Sequence, residues 1–374
     1  MKIRERYIAK TLITYTLVVL LVWLSIYSFF NFLAELNSVG KESYTILQAL
    51  KFIVLQMPEI AYEQASPIIL LGCILGMGHL ASTSQLLIFR ISGVSILKIT
   101  WLTVKNALFF IFIIIVIGEF LAPTLTSYSK NSRSMALGLN NISNSQEGFW
   151  IRDGDNFINV KKNIDGKIFA GITVIEVNSS NSIKRVIKSK GAEFDSNSLI
   201  MNETEIFSIS KSNNFENFSI KERNLYNKIV SFDQDLIDSL EKDPEDLSTL
   251  TIIKQIQFLS DNKLRSGVFE VELYKRLTKP LTLLAMIFLA MLFIFGSNRE
   301  VTLGRKIFFG VALGLSFELL SRIGGAVSLS FDLSPFLSSI LPALIVMTIS
   351  LLSLIHISEP TRLLSISYAV FCLK

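Results

Sequence analysis

The most constraining feature of this chain is a series of long apolar segments: Leu12 to Leu33, Ala65 to Ile88, Ile99 to Ala122, Leu281 to Gly296, Ile307 to Leu329 and Pro335 to Ile355. About 20 predominantly apolar residues suffice for a helix to cross a bilayer, and a helix satisfies its own backbone groups there. The fourth segment has only 16 uncharged residues, and Tyr274 to Thr278 can extend it, with Lys275, Arg276 and Lys279 snorkelling or facing a cavity. Half of the 374 residues are apolar and 18% are charged. The mean hydropathy is +0.49. A water-soluble domain of this composition would expose large apolar patches, so the expected fold is a six-helix transmembrane bundle.

The formal net charge of +5 reads as orientation, not as a nucleic-acid surface, once its position is considered. Residues 127–270 hold 18 Lys and Arg against 20 Asp and Glu, so the basic excess lies in the hydrophobic parts and their short flanks. Lys2, Arg4, Arg6 and Lys10 precede the first segment, which is too long and too poorly followed by small residues for a signal peptide. The positive-inside rule places the N-terminus in the cytoplasm, along with the loops carrying Arg90 and Lys98, and Arg299, Arg305 and Lys306. The Ser330 to Ser334 connection has no basic residue and is assigned to the other side.

Between the third and fourth segments the pattern changes to period two. Phe149 to Ile151 and Phe157 to Val160 read as strands around an Asp153-Gly154 turn, followed by Ile168 to Val177, Ile183 to Ser189, Ala192 to Phe194, Leu199 to Ile209 and Phe218 to Ile220. A run of short strands predicts an antiparallel sandwich or jelly roll. Asp243 to Ser248 reads as a turn, with a helix starting near Ser248. The predicted organisation is three spans in residues 1–126, the β domain and a return helix in 127–270, and three spans in 271–355.

No P-loop, dinucleotide fingerprint, His-Glu-x-x-His helix or Gly-x-Ser-x-Gly elbow occurs, so the chain is expected to be no enzyme and to carry no cofactor of its own. Cys73 and Cys372 offer no disulfide framework and no metal-ligand spacing, and the equally isolated His79 and His356 read as polar groups in or beside helices. Gly72, Gly76 and Gly78 read as close helix packing. Glu119, near Pro123, is either an interfacial cap or a proton-relay carboxylate. Glu318 and Arg322 are spaced to pair along a helix, either to lower the cost of burying charge or to face a lumen handling polar headgroups.

Several stretches, in order, resemble the LptF/LptG permease family. They are Leu36 to Tyr44, Pro58 with Tyr62, Ser66 to Ala81, Arg90-Ile-Ser-Gly-Val-Ser95, Gly118 to Pro123, Gly148 to Phe157, and Lys279-Pro-Leu through Phe293-Ile-Phe-Gly296. They cover nearly the whole chain to about Ser353, and the Trp-containing hairpin favours the LptG branch of the family. The resemblance implies a permease subunit in the inner membrane of a Gram-negative bacterium. Such a subunit pairs with an LptF-like paralogue and an LptB-like ATPase dimer that binds the ATP and Mg, and meets an LptC-like periplasmic protein. It extracts lipopolysaccharide from the membrane, and its periplasmic β-jellyroll offers the acyl chains an apolar path.

The same resemblance marks residues 82–93 as the coupling helix that docks on the ATPase, with Gln85, Arg90 and Gly93 as coupling candidates. Gln85 stands where the family usually has Glu, which replaces a charged contact with a neutral one. Lys41, in its Gly40-Lys41 context, matches a basic cavity position suited to lipid A phosphates, and Glu318 and Arg322 join it as substrate candidates. The alternative for Lys41 is an ordinary interface lysine. A competing function is an ATPase-coupled mechanotransducer acting on a periplasmic partner. Residues 356–374 do not follow the family and resemble translated sequencing-adapter DNA, so they are set aside from the fold.

Overall fold

The computed structural model describes residues 3–138, 148–163, 167–178, 182–195, 198–212, 215–233, 236, 237, 239, 242–296 and 303–358. Ten helices are named here: α1 (Ile3–Glu35), α2 (Ile46–Glu63), α3 (Ala65–Ser82), α4 (Gln85–Ile91), α5 (Ile96–Val116), α6 (Ala122–Ala136), α7 (Thr249–Asp261), α8 (Gly267–Gly296), α9 (Leu303–Ser330) and α10 (Pro335–Ser358). Among the described residues, six helical stretches are long and apolar enough to cross a membrane, in the order the hydropathy pattern predicts, but the second ends at Ser82 instead of Ile88 and the third continues to Ala136. Arg299 and Cys372 lie outside the described residues, as does the tail from residue 359.

The chain divides into two compact units: Met1–Asn37, Ile53–Thr126 and Val271–Lys374 form one, and Ser38–Phe52 with Ser127–Glu270 the other. In the helical unit α3 and α8 are the most buried spans, whereas α1, α9 and α10 turn most of their apolar surface outward. Ile69, Leu70, Ile74 and Met77 of α3 meet Leu283, Met286, Ile287 and Ala290 of α8 and Ile99, Val104 and Ile111 of α5 in one core. Gly72 is where α1 comes close, since a Cβ there would lie 2.5 Å from Thr16 Oγ1. Gly76 also faces α1, with Leu12 Cα 3.4 Å from a Cβ position. Gly78 has nothing within 4 Å, so the packing role expected of all these glycines holds for Gly72 and Gly76 and not for Gly78.

Two helical features go beyond the hydropathy pattern. α2 is an additional helix with Pro58 inside it. The third span runs on as α6, and between α5 and α6 the residues Ile117–Leu121 form a π-helical turn. Gly118 in that turn lies against the Tyr62 ring, where a Cβ would approach Cδ2 to 2.0 Å. A π turn adds a residue to the helical phase and leaves backbone groups displaced, which suits a site where another side chain must press close.

The second unit contains the antiparallel sheet, of six strands in the sequential order β1 (Phe149–Asp153), β2 (Asn156–Asn163), β3 (Ile168–Val177), β4 (Ile183–Asp195), β5 (Ser198–Ser212) and β6 (Phe215–Ile229). The pairings among the described residues are those of a meander, so the antiparallel domain stands where it was expected, and its jelly-roll closure is a finer expectation. The first hairpin pairs Asp153 with Asn156, which makes the loop Gly154-Asp155, one residue on from the turn read in the sequence. Gly154 takes φ +59°, a conformation open to glycine at little cost. The predicted strands Ile183 to Ser189 and Ala192 to Phe194 are one strand, β4, because Gly191 continues the ladder opposite Asn202.

Ile158, Phe169, Ile172, Val174, Ile187 and Met201 of the sheet are buried in one hydrophobic core. Phe232 stacks on Phe194 at 6.0 Å and meets the edge of Phe258 of α7 at 6.2 Å. α7 starts where the sequence predicts: the Ser248 hydroxyl accepts a hydrogen bond from the Thr251 amide at 3.2 Å and caps the helix.

Candidate functional site

The residues singled out in the sequence fall into three places. α3 ends at Ser82, Ser84 turns the chain with φ +58°, and the short helix α4 follows. Its end is a Schellman cap: the Gly93 amide donates to the Arg90 carbonyl at 3.0 Å and the Val94 amide to the Phe89 carbonyl at 3.1 Å. Gly93 takes φ +79°, which explains a glycine at this position. Replacing it with alanine is expected to cost about 1 kcal/mol and to speed exchange of the Val94 amide roughly fivefold, read by hydrogen exchange on the full chain.

α4 buries Leu86 and turns Leu87, Ile88 and Ile91 outward, Ile91 at 78% exposure. Arg90 projects from the same short helix and is exposed. The Gln85 side-chain carbonyl is buried and finds no hydrogen-bond partner among the described residues. A capped, stiff helix with an outward apolar face and an unsatisfied amide oxygen has the makings of a docking element.

Lys41 belongs to the unit that contains the sheet. It rides on a tight loop after α1, where the Gly40 amide donates to the Tyr44 carbonyl at 2.9 Å and the Tyr44 amide to the Lys41 carbonyl at 2.9 Å. Ser43 fixes the loop to the end of α6, its amide and hydroxyl both donating to the Ala136 carbonyl, at 3.1 and 2.9 Å. The Lys41 side chain is exposed. Sequence reasoning missed Arg133, which donates to Ser38 Oγ at 3.4 Å at the foot of the same loop and stacks over Phe52 at 5.4 Å. Lys51 stands nearby on α2 and donates to the Tyr128 hydroxyl at 3.0 Å. Lys130 and Arg133 are one turn apart on α6, and that spacing was the available signal once the third span is seen to continue past Thr126.

Glu318 and Arg322 are in the helical unit on α9. The Arg322 Nε donates to Glu318 Oε1 at 3.4 Å, so the predicted pair forms. The Glu318 side chain is 13% exposed and that of Arg322 54%, which places the carboxylate inward. The cations at the start of the fourth span do not all snorkel. Lys275 and Arg276 pair with the buried Glu272 at 3.4 and 2.9 Å, while Lys279 turns inward. Its ammonium donates to the Glu63 carbonyl at 2.9 Å and lies 5.3 Å from the Tyr62 ring centroid. Pro280 follows it inside α8 and supplies no backbone N–H. Glu119 sits in the π-helical turn, half-buried.

Similarity to known proteins covers both units. A family model described as "Lipopolysaccharide export system permease LptF/LptG" matches residues 6–356. The lipopolysaccharide export system permease protein LptG of Escherichia coli (strain K12) is 25% identical over 355 residues, covering 93% of this chain and 96% of that protein. The LptG protein of Haemophilus influenzae is 28% identical over 352 residues, covering 91% of this chain and 95% of that protein.

Proposed function

The chain belongs to the lipopolysaccharide export system permease LptF/LptG family, and from that premise we propose that it is the permease subunit of an ATP-driven exporter. In this reading it extracts lipopolysaccharide from the inner membrane and passes it to a periplasmic bridge. The observation that carries the reading is the match across residues 6–356, which takes in the spans and the inserted sheet in a single order. Each LptG relative is matched over at least 95% of its length, so the likeness is to whole permeases.

The partners follow from the same premise: an LptF-like paralogue beside the spans, an LptB-like ATPase dimer that binds ATP and Mg, and an LptC-like periplasmic protein. α4 is the coupling helix, with Gln85, Arg90 and the cap glycine Gly93 at the ATPase. The outward Leu87, Ile88 and Ile91 support this, because such a surface in water needs a cover. The N-terminus and α4 are then cytoplasmic and the β domain periplasmic, in keeping with the basic residues of the short loops.

Lys41 is the first contact for a lipid phosphate, with Arg133 at the foot of its loop, and Glu318 and Arg322 serve the polar headgroup from α9. The pinned loop lowers the backbone cost of presenting this ammonium, although its flexible stem must still be ordered on binding. Lys41→Glu is expected to lower lipopolysaccharide recovered with the purified chain about tenfold, the loss of one charge-assisted contact with added repulsion. Quantifying bound lipid A by mass spectrometry checks this, and unchanged recovery contradicts the assignment.

The reading is tested by purifying the tagged chain from inner membranes and identifying what accompanies it. An LptB-like ATPase, an LptF-like paralogue and lipid A are expected. An ATPase with a periplasmic hydrolase and no lipid favours a mechanotransducer instead.

A further inference from the structure

The helical unit contains a partly open cavity of about 30 Å³, lined by Ser66 of α3, Lys275, Lys279 and Thr282 of α8, Glu318 and Ser321 of α9 and Ser339 of α10, among others. Four helices thus turn polar side chains toward one small space inside an otherwise apolar bundle. Lys279 is 6% exposed. Its bond to the Glu63 carbonyl accounts for one of three ammonium protons. Glu318, on the facing helix, is within electrostatic reach of Lys279 but hydrogen-bonds to Arg322. Ser66 is 1% exposed and its hydroxyl has no hydrogen-bond partner among the described residues.

A hydroxyl buried to this degree without a partner carries its full desolvation penalty, and a buried ammonium beside an apolar core is costlier still. Both costs fall if the space is filled by something that donates and accepts. A water molecule needs roughly 10–15 Å³ of such space and two to four polar partners, so the cavity has room for one or two and has partners in excess.

We propose that this cavity is an internal hydration site whose ligand is ordered water bridging Ser66, Lys279 and Glu318. Through it Lys279 is a positioning residue that sets α9 against α3 and α8. Lys279 is anchored on its other side to the C-terminal end of α2 through Glu63 and Tyr62, so the position of α9 is referred to that corner of the bundle. A span that must shift during a transport cycle is then held by a polar contact that water can remake, instead of by interlocked apolar side chains.

The test uses the full chain, purified with its accompanying proteins, and the midpoint of thermal unfolding. Ser66→Ala is expected to lower the midpoint, because water in the cavity loses a partner. A dry cavity gives the opposite sign, since the variant removes an unsatisfied hydroxyl, and a raised midpoint overturns the hydration site. Glu318→Gln is expected to lower the midpoint, and adding Lys279→Met to it to restore part of the loss. Additive losses mean that the two groups do not sense each other and overturn the positioning role. Positioning is read separately, well below the midpoint, from disulfide formation between Val271→Cys and Gly325→Cys, which meet across α8 and α9 where a Cβ at Gly325 would stand 3.1 Å from Val271 Cγ1. Its rate is expected to fall severalfold when Lys279→Met is added, and an unchanged rate overturns the role even if stability drops.

Discussion

Gly72→Leu is expected to destabilise the folded bundle severely. A Cβ at this position would stand 2.5 Å from Thr16 Oγ1 and 2.8 Å from Thr16 Cα, and the second of these is backbone that cannot rotate away. Thr16 is itself buried, so α1 can accommodate a larger residue only by lifting off α3. Overpacking in a well-packed interior typically costs about 1–3 kcal/mol, and a clash with backbone along a helix pair stands at or above the upper end. Small residues are what allow membrane helices to approach closely, since lipid supplies little hydrophobic drive for association. Size-exclusion of the detergent-solubilised full chain is expected to lose its monodisperse peak. Gly78→Ala, where nothing lies within 4 Å, is expected to keep it, and equal behaviour of the two variants contradicts the packing account.

The second large effect is expected in the sheet. Glu176 of β3 is buried and accepts hydrogen bonds from both Arg185 of β4 and Lys228 of β6, and Lys228 also donates to Asn156 of β2 at 2.9 Å. One carboxylate therefore ties together strands that are not all neighbours. Glu176→Ala leaves Lys228, whose side chain is 14% exposed, without its counter-charge. Breaking a buried pair from one side costs about 3 kcal/mol, and partial solvation of Arg185 keeps the figure at that lower end. The expected result is a loss of hydrogen-exchange protection across β2 to β6 in the full chain. Glu203→Ala, which breaks an exposed pair with Lys190, is expected to change protection little.

The pH dependence has a definite sign. Burial pushes the Glu176 carboxyl up, but hydrogen bonds and charge from Arg185 and Lys228 outweigh it and hold the group below its ordinary value of 4.5. A carboxyl depressed in the folded state contributes stability above the unfolded value and loses it as pH falls through the folded value. The protection difference between the native chain and Glu176→Ala is therefore expected to be full at pH 7 and to shrink as the pH is lowered beneath 4.5.

The spans were legible because hydropathy is a one-dimensional property, and the first hairpin because Gly154 sits between two alternating runs. β6 was read only as Phe218 to Ile220, yet it runs from Phe215 to Ile229. Lys221, Glu222 and Arg223 interrupt the alternation, and the exposed stretch from Ser219 to Leu225 of an edge strand has no need of it. α2 was missed because Pro58 and the carboxylates Glu59 and Glu63 break an apolar reading, while its amphipathic period survives. At the candidate site, Gly93 and α4 could be located by motif, but the Schellman cap is a matter of backbone geometry and the unsatisfied Gln85 side-chain oxygen one of local burial. The sequence leaves Lys275, Arg276 and Lys279 alike as snorkelling or facing a cavity. Only the approach of α2, through a carbonyl far away in sequence, shows that Lys279 points inward.

The central claim, that this chain exports lipopolysaccharide, is tested most directly by depleting it in the cell that carries it and following newly made lipopolysaccharide through separated inner and outer membranes. The account predicts that the lipid accumulates in the inner-membrane fraction and that re-expression of the chain restores its passage. Normal arrival in the outer membrane after depletion would contradict it.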